Sequence, residues 1–307
     1  MKSEIREKLL ATGAIAAGFA EAGEVDAVVA ANFERWIRRG CHADAEYLVT
    51  HIPLRRHTDN VLPGAKTVIS LAYSYVPRRW RSESLPRVAC YAYGLDYHKV
   101  IRKRLKQVVK GLAERFGGDW RICIDSAPLE ERYWALKSGL GKRGLNGNVI
   151  VEGGGSFCFL TEILTTIRIE PDKPSREVCL ECGKCLTACP TGALNSDGTL
   201  DCNLCLNHQT IENKTGINPD VRQRLKKRSQ ENMFLFGCDI CQRICPHNQG
   251  VEPTHIEEFN PQEGILEINS EEILKMNEED FRVRFGKTAL KRGGLERLKQ
   301  NVAGFST

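Results

Sequence analysis

The 307-residue chain has no apolar run approaching the ~18 residues that a membrane-spanning helix needs, which excludes a transmembrane protein. No secretory leader is expected either, since the apolar stretch 14–20 is short and is followed at once by Glu21. We expect this stretch to be part of an amphipathic helix. No twin-arginine pair occurs in the first thirty residues, so a cytoplasmic protein is expected.

A strong excess of one charge sign is also absent, because the formal net charge is only +5. The 41% apolar and 27% charged residues are typical of a globular protein, and the length predicts about two domains. The basic residues nevertheless cluster in four segments, 78–81, 102–110, 224–228 and 287–299. A solvated helix face explains any one of them, but four together favour a polyanionic partner.

Cysteine is what the sequence has in abundance, with thirteen residues. Four of them form a C-x2-C-x2-C-x3-C-P run: Cys179, Cys182, Cys185 and Cys189, followed by Pro190. Three more form a C-x2-C-x3-C-P run: Cys238, Cys241 and Cys245, followed by Pro246. The first run is the bacterial ferredoxin pattern, in which three thiolates hold one [4Fe–4S] cube and the fourth ligates a second cube. The spacing therefore predicts two [4Fe–4S] clusters.

Two cubes with four thiolates each need eight ligands, and the two runs supply seven. The missing ligand is expected from the upstream pair Cys202 and Cys205. Crossed ligation assigns Cys179, Cys182, Cys185 and Cys245 to the first cluster. It assigns Cys189, Cys238, Cys241 and one of the upstream pair to the second. A zinc site does not explain the triple run, and disulfides are typical of small secreted chains. We interpret the other cysteines, including Cys41, Cys90, Cys123 and Cys158, as small buried hydrophobic residues in a reducing compartment.

The first 170 residues alternate between helix and strand patterns. Helices are predicted over 25–37, 98–116 and 127–138, the last with Ser126 as N-cap, and strands over 66–75, 121–125, 148–152 and 157–170. Loops dominate the cysteine-rich part, apart from a helix near 217–230, and the tail is helical and charged. The predicted fold class is α+β: an α/β-type domain over 1–172, a ferredoxin-like two-cluster domain over 173–255 and a helical tail over 256–307.

Asp125 is the candidate catalytic residue, because it lies where a predicted buried strand ends and a helix begins. In an apolar surround its carboxyl would keep a proton to higher pH and act as a general acid. The alternative is that Asp125 only assists Ser126 in capping the helix. The local pattern alone favours neither.

Several longer motifs accompany Asp125: Tyr93-Gly-Leu-Asp-Tyr-His98, Asp125-Ser-Ala-Pro-Leu-Glu-Glu-Arg132, Gly139-Leu-Gly141, Gly155-Ser156, Phe159-Leu-Thr-Glu162, Thr210-Ile-Glu212 and Gly237-Cys-Asp-Ile-Cys-Gln242. With these motifs the chain resembles the epoxyqueuosine reductases over almost its whole length. The resemblance implies reduction of epoxyqueuosine to queuosine at the wobble position of tRNA. It implies cobalamin, resting as cob(II)alamin and bound without a protein cobalt ligand, beside the two clusters, in a domain that resembles the reductive dehalogenases.

The resemblance also implies site residues. Electrons would pass through the clusters to cobalamin, and Asp125 aligns with the proposed proton donor. Cys205, rather than Cys202, aligns with the eighth cluster ligand. The corrin contacts would fall near Arg55, Tyr97, Asp125, Val149, Leu160 and Asn207. The implied partners are tRNA and a low-potential electron donor, with no membrane, and the protein is expected to be a monomer.

The sequence departs from the family pattern at a few positions. Lys142 and Arg143 stand where apolar residues are common, Leu145 replaces a lysine, and Thr161 replaces a glycine. The C-terminal helical-repeat extension of many relatives does not follow, so a short form would hold tRNA with its own basic segments.

Two other functions are considered. A cobalamin-dependent reductive dehalogenase-like enzyme is disfavoured by the basic segments and the missing export signal. A plain electron-transfer ferredoxin leaves the first 170 residues without a role.

Overall fold

The structure, a computed structural model, describes residues 1–175, 179–227 and 234–306. Its α-helices are α1 (Lys2–Leu10), α2 (Ala27–Arg38), α3 (Glu46–Thr50), α4 (Ile52–Arg55), α5 (Tyr97–Phe116), α6 (Glu131–Lys137), α7 (Lys184–Ala188), α8 (Leu206–Ile211), α9 (Pro219–Lys227), α10 (Ile240–Arg243), α11 (Ser270–Lys275), α12 (Glu278–Phe285) and α13 (Gly294–Ser306). Its strands are β1 (Ala16–Glu21), β2 (Thr67–Ser74), β3 (Arg87–Val88), β4 (Trp120–Cys123), β5 (Gly141–Arg143), β6 (Val149–Val151), β7 (Cys158–Thr165) and β8 (Phe234–Phe236). Short 3-10 helices span Thr58–Asn60, Cys90–Ala92, Pro246–Asn248, Glu257–Phe259 and Ala289–Arg292.

A four-stranded sheet in the order β1-β2-β7-β4 forms the centre of the first part, and its strand pairs are antiparallel. All eight residues of β2 are buried, because helices cover both faces of the sheet. On one face Ile69 and Ile163 pack with Ile101 and Leu105 of α5. On the other face Leu164 packs with Trp134 of α6. The sheet is therefore the middle of three layers, and the predicted mixture of helices and strands is confirmed.

The stretch 14–20, expected as part of an amphipathic helix, is instead mostly strand β1, and that prediction is wrong. Its residues pair in register with β2, from Ala16 opposite Ala72 to Glu21 opposite Thr67. Gly18 permits a close approach, because a Cβ there would lie 2.2 Å from the carbonyl oxygen of Ser138. Small side chains, which favour helix in isolation, here allow α6 to pack directly on the edge strand.

Helix α6 begins at Glu131, four residues later than predicted, and Ser126 does not cap it. The Ser126 hydroxyl donates to the carbonyl of Ile124 at 3.3 Å instead. The segment 124–130 is thus a loop between β4 and α6. This loop carries Asp125.

The C-terminal segment packs into the same core as the sheet. Phe285, Leu290 and Leu298 belong to the cluster that contains Ile69 and Ile101. The predicted boundaries at residues 172 and 255 stay predictions. No helix among the described residues is long and apolar enough to cross a bilayer.

Candidate active site and cysteine clusters

The loop that carries Asp125 is held in an unusual backbone conformation. Asp125 has φ of 53°, in the left-handed region that non-glycine residues rarely adopt. Its backbone N–H donates to Oε1 of Glu131 at 2.7 Å. Arg55 donates to the carbonyl of Leu129 at 3.1 Å and to Glu130 at 3.3 Å. The loop is therefore braced from both ends.

Three donors from distant parts of the chain converge on one carboxylate oxygen of Asp125. The Tyr97 hydroxyl donates to Oδ2 at 2.8 Å, His98 Nε2 lies 3.0 Å away, and Arg292 donates at 3.2 Å. Tyr97 and His98 are the first residues of α5, whose N-cap is Asp96. Arg292 comes from the 3-10 helix near the C-terminus.

These donors correct the expectation of an apolar surround for Asp125. Burial disfavours the charged carboxylate, but hydrogen bonds from His98 and Tyr97 and the charges of His98 and Arg292 outweigh it and lower the pKa of Asp125 to about 2. Burial and the Asp125 charge raise the pKa of Tyr97, so it stays a hydroxyl donor. Asp125 is thus a carboxylate before substrate enters.

His98 lies between two carboxylates. Its Nδ1 lies 2.8 Å from Oδ1 of Asp96, and its Nε2 lies 2.9 Å from Arg292 as well as near Asp125. Burial lowers the pKa of His98, but the hydrogen bonds to Asp125 and Asp96 raise it more, so its pKa lies above the usual value. When both ring nitrogens are protonated, His98 donates to both carboxylates, and when Nε2 carries no proton it accepts from Arg292.

Asp125 lines a cavity of ≈ 140 Å³. Three of the residues implied as corrin contacts, Tyr97, Val149 and Leu160, line this cavity with it. The other lining residues are Tyr75, Glu131, Arg132, Asn148, Ser156, Cys158 and Phe159. Of the remaining implied contacts, Arg55 braces the Asp125 loop from outside, and Asn207 lies on α8 near Gly237. Apolar Val149, Leu160 and Phe159 line the cavity together with ionisable groups, the mixture of apolar and polar side chains that is typical of cofactor sites.

The four cysteines assigned to the first cluster surround one recess. Cys179, Cys182, Cys185 and Cys245 line it together with Leu180, Lys184 and Pro246, among others. Cys182 is exposed and the other three are partly exposed. The recess therefore presents four thiols to one volume, close to the protein surface.

The cysteines assigned to the second cluster lie deeper and close to one another. Burial raises the pKa of the Cys241 thiol, and Cys205, Cys189 and Cys185 raise it further by charge repulsion. Burial likewise raises the pKa of the Cys238 thiol, and charge repulsion from Cys205 raises it further. Among the described residues no three His, Cys, Asp or Glu side chains converge closely enough to hold a single metal ion. Two sets of four thiols are instead available, which is the donor set of two [4Fe–4S] clusters.

The second set lies beside the active-site cavity. Gln242, next to Cys241, donates to the carbonyl of Ser156 at 2.7 Å and to the Tyr75 hydroxyl at 3.2 Å. Both of these acceptors belong to the cavity lining. The Gln242 side chain thus connects the segment that carries Cys241 to the wall of the active-site cavity.

Two family models match the sequence: "Epoxyqueuosine reductase QueG, DUF1730" over residues 55–126 and "4Fe-4S double cluster binding domain" over residues 178–248. An epoxyqueuosine reductase of Cyclobacterium marinum is 36% identical over 277 residues, covering 89% of this chain and 86% of that protein. The chain belongs to the epoxyqueuosine reductase family. The predicted resemblance and the two iron–sulfur clusters are confirmed, and the zinc, disulfide and plain ferredoxin alternatives are set aside.

Solved epoxyqueuosine reductases share the fold. The structure from Streptococcus thermophilus matches with a TM-score of 0.82 at 28% identity, covering 98% of this chain and 80% of that one. A second, crystallised with an epoxyqueuosine-modified stem loop of tyrosine tRNA, matches with a TM-score of 0.85 at 27% identity and coverages of 99% and 81%. A Bacillus subtilis structure, whose catalytic loop is swung out of its active site, matches with a TM-score of 0.86 at 26% identity and coverages of 99% and 81%.

Sequence reasoning missed several residues of this epoxyqueuosine reductase site. Arg292 is 167 residues from Asp125 and was visible only as one cation of a basic segment. His98 and Glu131 lie within the family motifs given above, but no sequence pattern indicated that they contact Asp125. Spatial proximity across the chain is the information that the sequence lacks.

The basic segments have mixed roles in the structure. Arg81 is buried and donates to the carbonyls of Pro86 and Ile265 at 2.7 Å, so it holds the C-terminal segment rather than a partner. Outside these segments, Arg143, one of the departures from the family pattern, donates to the carbonyl of Gly198 at 2.8 Å. Leu145, at the position of the family lysine, lines the first cysteine recess. Arg228 lies outside the described residues.

Proposed function

We propose that this protein reduces epoxyqueuosine to queuosine at the wobble position of tRNA, with Asp125 passing a proton to the departing oxygen. Membership of the epoxyqueuosine reductase family supports the reaction. The observation that carries the site assignment is the cavity that joins Asp125 to residues beside the second set of cysteines. A similar enzyme bound to an epoxyqueuosine-modified stem loop supports tRNA as substrate.

The cofactors would be held by the two sets of cysteines and by the active-site cavity described above. The first cluster would be held by Cys179, Cys182, Cys185 and Cys245, and the second by Cys189, Cys205, Cys238 and Cys241. Cobalamin would lie in the cavity against Tyr97, Val149 and Leu160. When bound, the clusters and cobalamin supply a route and a cobalt centre for two electrons delivered one at a time.

The proton chemistry belongs to the side chains around Asp125. Opening the epoxide and releasing its oxygen as water consumes two protons in addition to two electrons. Because Asp125 is ionised at rest, it must first receive the proton that it donates. The adjacent His98 imidazolium, 3.0 Å from Oδ2, is placed to supply it. After the transfer, Tyr97 and Arg292 stabilise the Asp125 carboxylate by donating hydrogen bonds to it.

The partners are proposed from the surface and from the reaction. Lys287 and Lys291 are exposed beside Arg292, where phosphates of a bound anticodon loop would pass. A low-potential one-electron donor must reduce the clusters, and the exposure of Cys182 supports the first cluster as the entry point. We place the protein in the cytoplasm, as a monomer.

The proposed function is tested by anaerobic reconstitution with cobalamin, a low-potential reductant and epoxyqueuosine-containing tRNA. Nucleoside mass analysis should show queuosine formed at the expense of epoxyqueuosine. Metal analysis should give about eight irons and one cobalt per chain. A protein that holds the irons and cobalamin but leaves epoxyqueuosine unchanged would contradict the proposal, and an organohalide substrate would then test the dehalogenase alternative.

A further inference from the structure

Three carboxyl groups follow one another from the cavity into the sheet: Asp125, Glu131 and Glu162. The first is ionised, because three donors converge on it. The other two have far fewer donors. Pairs of titratable groups in such contrasting surroundings often divide the roles of acid and base between them.

Glu131 lines the same cavity as Asp125. It is the first residue of α6, and its Oε1 accepts the backbone N–H of Asp125 at 2.7 Å. The other oxygen has no hydrogen bond to the described residues. Burial and the negative charge of Asp125 both raise the pKa of Glu131, against weaker opposition from the Asp125 backbone and the cations of Arg132 and Arg55. With a pKa of about 7, the Glu131 carboxyl therefore holds a proton up to near-neutral pH beside an ionised carboxylate.

Glu162 lies behind Glu131 in the centre of β7. It is 0% exposed, and neither of its carboxyl oxygens has a hydrogen-bond partner among the described residues. Its cross-strand neighbours are Ser70 on β2 and Cys123 on β4. An unpartnered carboxylate cannot be buried in this way without a large cost, so the group is neutral. Burial raises its pKa well above the usual value, and Glu131 raises it further once that carboxyl is ionised.

We propose that Glu131 is the resident acid of the cavity and supplies one of the two protons that leave with the epoxide oxygen as water. This inference rests on the proposed function. Two electrons from a low-potential one-electron donor and two protons convert the epoxide to an alkene and water: two C–O bonds break, and one C=C π bond and two O–H bonds form. Glu131 gives one proton and becomes a carboxylate, the His98–Asp125 pair gives the other, and solvent restores both after turnover.

The groups that face Glu131 explain why it can hold and release this proton. Asp125 faces it from the loop, Glu162 and Cys123 from the sheet, Arg55 from α4 and Arg132 from its own helix. Glu162 cannot take the proton, because it is already neutral. When Asp125 is protonated in the reaction, the repulsion that keeps Glu131 neutral is relieved, and Glu131 becomes a stronger acid at that moment.

The test uses Glu131→Gln, because the glutamine carbonyl can still accept the Asp125 N–H while the acid proton is lost. With the reconstituted enzyme we expect the single-turnover rate to fall by about 10²-fold, the scale of general-acid catalysis. The wild-type rate should decrease as pH rises through the raised pKa of Glu131, and this alkaline limb should be missing in the variant. Iron content, cobalamin content and tRNA affinity should be unchanged, and Glu131→Asp should recover part of the rate.

Two further measurements separate acid function from structure. In protein without substrate, the infrared carbonyl band of a protonated buried carboxyl should lose intensity in Glu131→Gln. It should not change in Glu152→Gln, a matched control at an exposed position. An unaltered rate and pH profile in Glu131→Gln, with active wild-type enzyme, would overturn this inference alone. Inactive wild-type enzyme that still shows the infrared difference would count against the proposed function instead.

Discussion

At the scale of single residues, the site is built around one oxygen atom of Asp125. A carboxyl with a pKa of about 2 carries no proton at rest and gives up readily any proton that it receives, so in the proposed function Asp125 acts as a relay between a neighbouring donor and the substrate. His98 and Glu131 are the two neighbours with protons to release. The strained φ of 53° at Asp125 is maintained by the hydrogen bond to Glu131, which suggests that conformation and protonation of this loop are linked.

Asp125→Asn tests the relay. The amide oxygen can still accept from Tyr97, but the side chain can no longer take up and pass on a proton. We expect a loss of about 10²- to 10⁴-fold in the single-turnover rate, with clusters, cobalamin and tRNA affinity retained. Nucleoside mass analysis measures the rate, and Asp119→Asn, at an exposed position, is the control. Full activity in Asp125→Asn would remove the relay assignment.

The pKa of His98 is expected to move in opposite directions in two variants. Asp125 raises the pKa of His98 through its hydrogen bond, so Asp125→Asn should lower it and shrink the pH range of the imidazolium. Arg292 lowers the pKa of His98 by charge repulsion, so Arg292→Gln should raise it. Ring-nitrogen NMR titration measures both shifts, with His98→Gln to assign the signal among seven histidines. Shifts of the same sign in both variants would contradict the arrangement.

At the scale of elements, short helices position the thiols. Cys185 lies within α7, with Cys189 as its C-cap, Cys205 is the N-cap of α8, and Cys241 lies within α10. Helices of four to six residues cannot be recognised from hydrophobic periodicity, which needs longer windows. The cysteine spacing predicts the chemistry here because ligation, rather than apolar packing, dictates the backbone.

The pair Cys202 and Cys205 provides a matched test of the eighth ligand. Cys202 N–H donates to the carbonyl of Cys41 at 2.8 Å, in a contact with the first part of the chain, whereas Cys205 raises the pKa of Cys238. We expect Cys205→Ser to lose about half of the iron and one electron paramagnetic resonance signal after reduction. Cys202→Ser should keep both. The reverse result would show that the ligand is Cys202.

At the scale of the whole molecule, the features that could be predicted from the sequence are those that local chemistry determines. The two cysteine runs, the buried strand β2 and the amphipathic helix α5 follow from spacing and periodicity within one element. The edge strand β1 was mistaken for helix, because its small residues acquire strand geometry only by pairing with β2. The contact between Asp125 and Arg292 could not be predicted at all, since it depends on how the C-terminal segment packs on the sheet.

That packing also brings cations to the rim of the active site, which gives a test of how the chain would hold tRNA. The carbonyl of Lys287 accepts the backbone N–H of Asp96 at 2.8 Å, just before Tyr97 and His98, and Lys291 adjoins Arg292. Both lysines are exposed, and under the proposed function their ammonium groups would contact phosphates of an anticodon loop whose wobble base enters the cavity.

Binding should therefore weaken as salt rises, and each phosphate contact contributes about 0.7 to 0.9 to the slope of log affinity against log salt. We expect Lys287→Gln and Lys291→Gln each to reduce that slope by roughly this amount, while Lys8→Gln, on the exposed side of α1, leaves it unchanged. Filter binding across a salt series measures the slope. If all three variants keep the wild-type slope, the phosphates bind elsewhere on the protein. The next surface to test is then the set of exposed cations on α5: Arg102, Lys103 and Lys106.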